Sequence, residues 1–469
     1  MIDLLAFAGL PVAVMGLGKS GVASARALAA GGAEVWAWDD SEERRSEAKA
    51  ARIPLVDLYK QDLAGARTIV WSPGIPHRLP KPHPVAERAR AAGLEIVCDV
   101  ELLFRSERAS SYVGITGTNG KSTTTALVGH ILALAGRKVA AGGNLGTPAL
   151  ALEPLGKEGV YVLEMSSYQL ELTPSLAFDV GVLTNISPDH LERHGGFAGY
   201  VEAKKRIFQH QGAHSTAVVG VDDAPSRAIC DELAAKGEQK VVPISAETSL
   251  ARGVYVEGGR LVDASEGRGS EIAELAAIPS LPGRHNWQNA AAAYAAARAI
   301  GVPRERIADS LASFPGLAHR QELVAIIDGI RFVNDSKATN ADAAAKALVC
   351  YDRIYWLAGG RAKEGGIEPL APYFGRVAHA YLIGEAADAF ARTLQGKVPY
   401  TLSRTLDAAL AAASLDARAG GIGAVVLLSP ACASWDQFSS FEERGESFKA
   451  LVAKLPGRRE RARPAEAAP

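Results

Sequence analysis

Gly117-Thr118-Asn119-Gly120-Lys121-Ser122-Thr123-Thr124-Thr125 is the stretch on which the reading of this chain turns. A short apolar run, Tyr112-Val113-Gly114-Ile115, precedes it, and an apolar pattern of helical period follows over 126–135. Strand, glycine loop, helix is the order in which backbone N–H groups and a helix N-terminus face an anion while a lysine adds full charge. The common phosphate-loop spacing, G-x-x-x-x-G-K-[ST], would need glycine at 115, where the chain has isoleucine. The loop here is the shorter G-x-x-G-K-S. An ordinary strand-to-helix turn with a solvated lysine is the bland alternative. Four hydroxyl residues after the lysine favour a metal–phosphate site instead, so the chain is read as binding a nucleoside triphosphate.

Working outward, residues 11–38 have the pattern of a βαβ unit: a strand at 11–15, a helix at 20–30 and a strand at 34–38. Between the first two lies Gly16-Leu17-Gly18-Lys19-Ser20-Gly21, and Asp39 closes the second strand. This is the layout of a dinucleotide fingerprint, in which the acid reaches a ribose hydroxyl. A third strand, 68–71, ends in Ser72-Pro73-Gly74-Ile75-Pro76. Taken alone, residues 1–104 suggest NAD, although the same loop physics holds any pyrophosphate. A second segment, 105–317, carries the phosphate loop, strands at 160–163, 180–185 and 217–221, and an Ala-rich helix at 289–300. A third segment, 318–469, places strands at 330–334, 353–358, 380–383 and 425–429 and again reads as doubly wound. Its charged, Pro/Ala-rich tail is expected to fray from about residue 457.

Bulk composition narrows the class. The length of 469 residues suggests about three domains. A net charge of −1 gives no reason to expect nucleic acid or an anionic membrane surface as partner. The four cysteines, at 98, 230, 350 and 432, form neither a metal nor a disulfide spacing, as in a reducing cytosol. The apolar start, 4–14, lacks a basic leader and runs straight into a glycine loop, so it reads as a first strand. No uncharged apolar run reaches the length of a membrane span.

Other residues carry chemistry by position. Glu164 ends a strand of the sheet that bears the phosphate loop, where a carboxylate can hold Mg²⁺ or simply meet water. Asp189-His190 lies past another strand end and suits a metal or phosphate role, with a structural histidine as the alternative. In a helix expected over 200–210, Tyr200, Val201, Ile207 and Phe208 share a face, and Lys204 falls on it. A lysine there either snorkels to water or loses its proton, and a neutral amine reacts with CO₂ to give an anionic carbamate. Three polar clusters, 282–289, 334–340 and 429–438, also follow breaks or strand ends, as ligand-cleft residues do.

With these residues in view, the chain resembles the Mur ligases, ATP-dependent amide-forming enzymes of peptidoglycan synthesis, over nearly its whole length. The phosphate loop and Gly283-Arg284-His285-Asn286 match the wider family. Asn334-Asp335-Ser336-Lys337-Ala338-Thr339-Asn340 and Ser429-Pro430-Ala431-Cys432-Ala433-Ser434 resemble its D-glutamate-adding branch. The resemblance implies an α/β protein of three domains: a Rossmann-like UDP-binding domain, a central P-loop-type ATPase domain with a mostly parallel sheet, and a Rossmann-like C-terminal domain. It implies a cytoplasmic monomer acting on UDP-N-acetylmuramoyl-L-alanine and D-glutamate with ATP and two Mg²⁺, or Mn²⁺. Lys19, Ser20, Asp39, Asp40 and Gly74 would contact the UDP moiety, with Asn144 and His190 on substrate or intermediate. Gly117 to Thr123, Asn289, Arg320 and Asp335 would take ATP, with Lys121 on its phosphates. Ser122 and Glu164 would hold one metal; His190 and a CO₂-derived carbamate on Lys204 would hold the other. Lys337, Thr339, Ser434 and Phe441 would fix the amino acid, and Lys363 would add charge at the reacting groups. Trp435 is bulkier than the aliphatic residue expected after this serine. Rival readings are a sibling amide ligase with another acceptor, including a folylpolyglutamate synthetase-like enzyme, an NAD-dependent oxidoreductase, and a nucleotide-hydrolysing GTPase-like module.

Overall fold

The computed structural model describes residues 1–460 other than Leu145, Lys363 and Glu364. Among these residues, three sheets follow one another along the chain. The first has strand order Glu34–Trp38, Pro11–Met15, Ile69–Trp71, Ile96–Val97, all parallel. The second is nine-stranded. Its parallel part places Ser111–Thr116 between Gly159–Glu164 and Val180–Leu183. Lys138–Gly143 forms one edge, and an antiparallel hairpin, Val254–Glu257 with Arg260–Asp263, lies towards the other. The third is parallel through Tyr400–Arg404, Val377–Ile383, Ile354–Gly359, Val425–Leu428 and Ile330–Asn334. Antiparallel Glu322–Ile327 and Arg459–Glu460 extend it.

The third sheet shows why its strands read as unbroken apolar runs. Ile354, Trp356 and Ala358 point into one core, while Tyr355 and Leu357 point into another on the opposite face. Burial on both faces removes the polar alternation that a half-exposed strand would show. By contact density the chain forms two compact units. One comprises Met1–Ala273 and Asn286–Ala312, so the first two sheets share a unit; the other comprises Glu274–His285 and the chain from Ser313. No described helix is long and apolar enough to cross a membrane.

Several boundaries differ from the sequence reading. The Ala-rich helix is Arg284–Ala299, so it begins before Asn289 and places that residue inside the helix. The α-helix expected over 200–210 is Phe197–Lys205, and a 3₁₀ turn, Arg206–Phe208, then swings Ile207 and Phe208 into the core. Arg459 and Glu460 pair with Ile327 and Ile326, so the chain is still held in a sheet past residue 457.

Candidate active site

In the second sheet, successive crossovers from Ser111–Thr116 go first to one side and then to the other. Such a switch point opens a crevice at the carboxyl ends of the strands, where ligands bind in open α/β sheets. The phosphate loop lies there, with Glu164 on one flank and Thr184-Asn185 on the other. Gly117 and Gly120 have φ of +150° and +85°. A Cβ on Gly117 would sit 1.9 Å from Thr184 Oγ1, and one on Gly120 would sit 2.1 Å from Asn289 Oδ1. Both positions therefore require glycine. The flanks hold the loop open: Thr184 Oγ1 donates to Asn119 O (2.7 Å), Asn119 N to Asn185 Oδ1 (2.9 Å) and Thr118 N to Asn185 O (2.8 Å). Thr118 Oγ1 also lies 3.1 Å from Tyr200 OH. Helix Lys121–Leu134 starts at once, and its N-terminus faces the loop.

Two lysines converge on one carbonyl. Lys121 Nζ donates to Gly117 O and Thr118 O, both at 2.9 Å, and Lys204 Nζ donates to Gly117 O at 2.7 Å. Lys204 is 2% exposed, with its ammonium 4.8 Å from the centre of the Tyr200 ring. Burial, and then the charge of Lys121, push the Lys204 amine well below its ordinary pKa; Asp189 and Glu164 oppose that shift. Glu164 is buried at the strand end. Its Oε1 accepts Asn144 Nδ2 at 2.7 Å, whereas Oε2 is buried with no hydrogen-bond partner. A shielded carboxylate oxygen without a donor is costly, and a hard cation would satisfy it. With the Ser122 hydroxyl at the loop and phosphate oxygens, Glu164 Oε2 would complete an oxygen donor set of the kind Mg²⁺ takes. Asn289 accepts a 3.4 Å bond from Thr124 Oγ1 and borders Gly120. His190, at φ +50° and exposed, has its ring 5.1 Å from that of Tyr168 and Nε2 3.5 Å from Asp189 Oδ2.

The first sheet has a switch point of its own, between Pro11–Met15 and Ile69–Trp71. Gly16 to Gly18 turn there into helix Lys19–Ala30. Asp39, buried, accepts Leu17 N at 2.6 Å and Ser41 N at 2.9 Å, so this acid first builds the loop. Asp40 is exposed and engages Tyr59 OH (3.1 Å) and His83 Nε2 (2.8 Å). Lys19 is exposed, Ser20 is half-buried and Gly74 is exposed on the facing turn.

The other unit gathers most of the remaining candidates at the ends of Ile330–Asn334 and Val425–Leu428. Asp335 Oδ2 accepts Ser429 Oγ at 2.7 Å and Oδ1 accepts Gln321 N at 3.2 Å. Burial raises its carboxyl to about 7, with the Ser429 and Gln321 hydrogen bonds and then the charge of Arg320 opposing the rise. Arg320 Nε is buried without a hydrogen-bond partner. Lys337 Nζ sits 5.3 Å over the Phe441 ring. Thr339 is half-buried, Ser434 is buried and Trp435 is exposed. Lys363 lies outside the described residues.

Sequence reasoning missed Arg444, which is 1% exposed. Its guanidinium ties Ser336 Oγ (2.9 Å), Ser336 O (2.8 Å) and Cys432 O (3.1 Å) together, joining the two clusters around the expected amino-acid residues. It also missed Thr184, which falls inside the strand expected over 180–185, whereas the strand ends at Leu183 and leaves Thr184 at its carboxyl end.

Family profiles match the chain in the same order as its sheets. "Mur ligase MurD-like, N-terminal domain" covers 11–98, "Mur ligase middle domain" covers 115–297, and "Mur ligase, glutamate ligase domain" covers 319–432. The chain belongs to the Mur ligase family. Among its relatives, this Mur ligase is 57% identical to a UDP-N-acetylmuramoylalanine–D-glutamate ligase of Rhodospirillum rubrum, over 99% of this chain and 98% of that one. It is 58% identical to the protein of the same name from Paramagnetospirillum magneticum, over 96% and 98%. Among solved structures, the UDP-N-acetylmuramate-alanine ligase of Thermotoga maritima shares the fold with a TM-score of 0.58 at 17% identity, covering 95% of this chain and 99% of its own.

Proposed function

We propose that this Mur ligase joins D-glutamate to UDP-N-acetylmuramoyl-L-alanine with ATP, through an acyl phosphate, in cytoplasmic peptidoglycan precursor synthesis. The observation that carries the chemistry is the convergence of Lys121 and Lys204 on Gly117 O beside the unpartnered Glu164 oxygen. Relatives of that name, more than half identical over nearly the full length, supply the substrates. Three domains, 1–104, 105–317 and 318–469, are supported by the three sheets and the three profile matches.

In this reading the first loop, with Lys19, Ser20, Asp39, Asp40 and Gly74, takes the UDP moiety, and the second loop takes ATP. The substrate carboxylate attacks the γ-phosphorus, the bond to the β-phosphate oxygen breaks, and ADP leaves. Two anions meet in that step, and Lys121 with the helix N-terminus offsets their repulsion. The D-glutamate nitrogen then attacks the acyl carbon, the carbon–oxygen bond to phosphate breaks, and the amine loses a proton. Asn144 and His190 orient the acyl group; Asn289, Arg320 and Asp335 hold ATP. Lys337, Thr339, Ser434 and Phe441 hold the amino acid, and Lys363 adds charge at the reacting groups. Ser122 and Glu164 would hold one Mg²⁺, and His190 with Lys204 as its carbamate a second, neutralising phosphate charge when bound. A low amine pKa supports carbamylation, because the neutral form is the one that reacts with CO₂. The enzyme acts as a monomer.

The test is phosphate release with Mg²⁺, the sugar nucleotide and each glutamate enantiomer, omitting one component at a time. Release that needs both the sugar nucleotide and D-glutamate is expected. Release without the sugar nucleotide, or equally with L-glutamate, would reject this assignment. Removing CO₂ should lower the rate, and ¹³CO₂ should give a carbamate carbon signal that is absent from Lys204→Ala.

A further inference from the structure

The sugar nucleotide of this reaction must be held in two places at once: its diphosphate at the first sheet and its carboxylate at the second. Arg193 lies on the short helix Leu191–His194 that follows His190, and its guanidinium reaches the turn after Ile69–Trp71. Nη1 donates to Gly74 O at 2.9 Å, and Nη2 to Pro73 O at 3.1 Å and Ile75 O at 3.5 Å. The guanidinium carbon sits 4.3 Å from the centre of the Tyr168 ring. The same turn walls the first glycine loop, since Ser72 Oγ donates to Gly16 O at 3.2 Å and Trp71 Nε1 to Ile75 O at 2.9 Å. The next residue, buried His194, is anchored as well. Its Nδ1 is 3.0 Å from Glu171 Oε1, and Glu171 Oε2 is 3.8 Å from His77 Nε2, just past the turn.

We infer that Arg193 is a positioning residue that clamps the carbonyls of 73–75. It thereby fixes the reach from the diphosphate wall to the Lys121–Lys204 cluster. The inference rests on the proposed reaction. A planar guanidinium can serve several carbonyls and stack on Tyr168 together; a lysine offers one compact ammonium and no face.

The experiment compares wild type, Arg193→Ala and Arg193→Lys, all full length, for the separate KM values of sugar nucleotide and ATP and for thermal unfolding. Arg193→Ala should raise the sugar-nucleotide KM about tenfold and lower kcat, because small misplacements of a reacting group are costly, while the ATP KM stays within about twofold. Arg193→Lys should fall between, and it carries the test if the alanine variant is insoluble. An unchanged sugar-nucleotide KM would overturn the inference, as would equal changes in both KM values with a lower unfolding temperature. Wild type that needs D-glutamate and sugar nucleotide for phosphate release upholds the reaction whatever the variants do. Wild type that binds no sugar nucleotide overturns both readings.

Discussion

Gly16 and Gly117 each end a buried parallel strand at a switch point and turn into a helix N-terminus, yet different side chains gather on them. At Gly16 the nearby acid, Asp39, gives both oxygens to backbone N–H groups, and Lys19 stands in solvent. At Gly117 the Lys121 ammonium and the buried Lys204 amine both fold onto the loop, and the nearby acid, Glu164, keeps one oxygen without a donor. At the first loop the carboxylate is thus already satisfied by backbone N–H groups, which suits a bound, unreactive diphosphate. The second is charged and can take a cation, as phosphoryl transfer requires. Backbone geometry alone would not separate the two.

Lys121→Met should break this contrast most sharply. It removes the second loop's own lysine, and D-glutamate-dependent phosphate release should fall by about a thousandfold. Sugar-nucleotide affinity, measured by calorimetry, should be nearly unchanged. Next in size is Glu164→Gln, with a loss of about a hundredfold in kcat/KM and a Mg²⁺ titration moved to higher concentration. A rate lowered without any shift in Mg²⁺ dependence would remove Glu164 from the metal site. Asp39→Asn acts on the other loop. An amide cannot accept from both Leu17 N and Ser41 N, so stability should drop by about 1–3 kcal/mol and the sugar-nucleotide KM should rise while that of ATP holds.

A third acid, Asp335, gives the smallest effect and a pH signature. Burial raises its folded-state carboxyl from 3.8 to about 7. The folded chain therefore binds more protons than the unfolded chain between those values, and this contribution to stability is full below pH 3.8 and lost as pH rises through 7. Asp335→Asn should flatten that part of the pH–stability profile and raise the unfolding temperature at pH 8 by a few degrees relative to wild type. An unaltered profile would show that the carboxyl titrates as in water.

The strands Pro11–Met15, Glu34–Trp38 and Ile330–Asn334 were legible to the residue, because apolar runs there meet Gly, Asp or Asn at their ends. Edge elements were not. Lys138–Gly143 is partly exposed and ends in two glycines, and Glu322–Ile327 owes its place to antiparallel pairing with Ile330–Asn334. The start of helix Arg284–Ala299 was hidden by polar residues that read as a turn. Within the site, the loop, Glu164 and Lys204 were visible because each has a local signal: spacing, a strand end, a face. Arg444 and Arg193 have none. Arg193 meets a turn more than a hundred residues away along the chain, and only the packing of the first two sheets brings them together.

The most direct test of the account uses UDP-N-acetylmuramoyl-L-alanine labelled with ¹⁸O in both oxygens of its alanyl carboxylate. With ATP, Mg²⁺ and D-glutamate, each inorganic phosphate released should carry one ¹⁸O, delivered when the acyl phosphate forms and breaks. Phosphate free of ¹⁸O, with amide still produced, would contradict attack by the carboxylate on the γ-phosphate and the role given to the Gly117 loop.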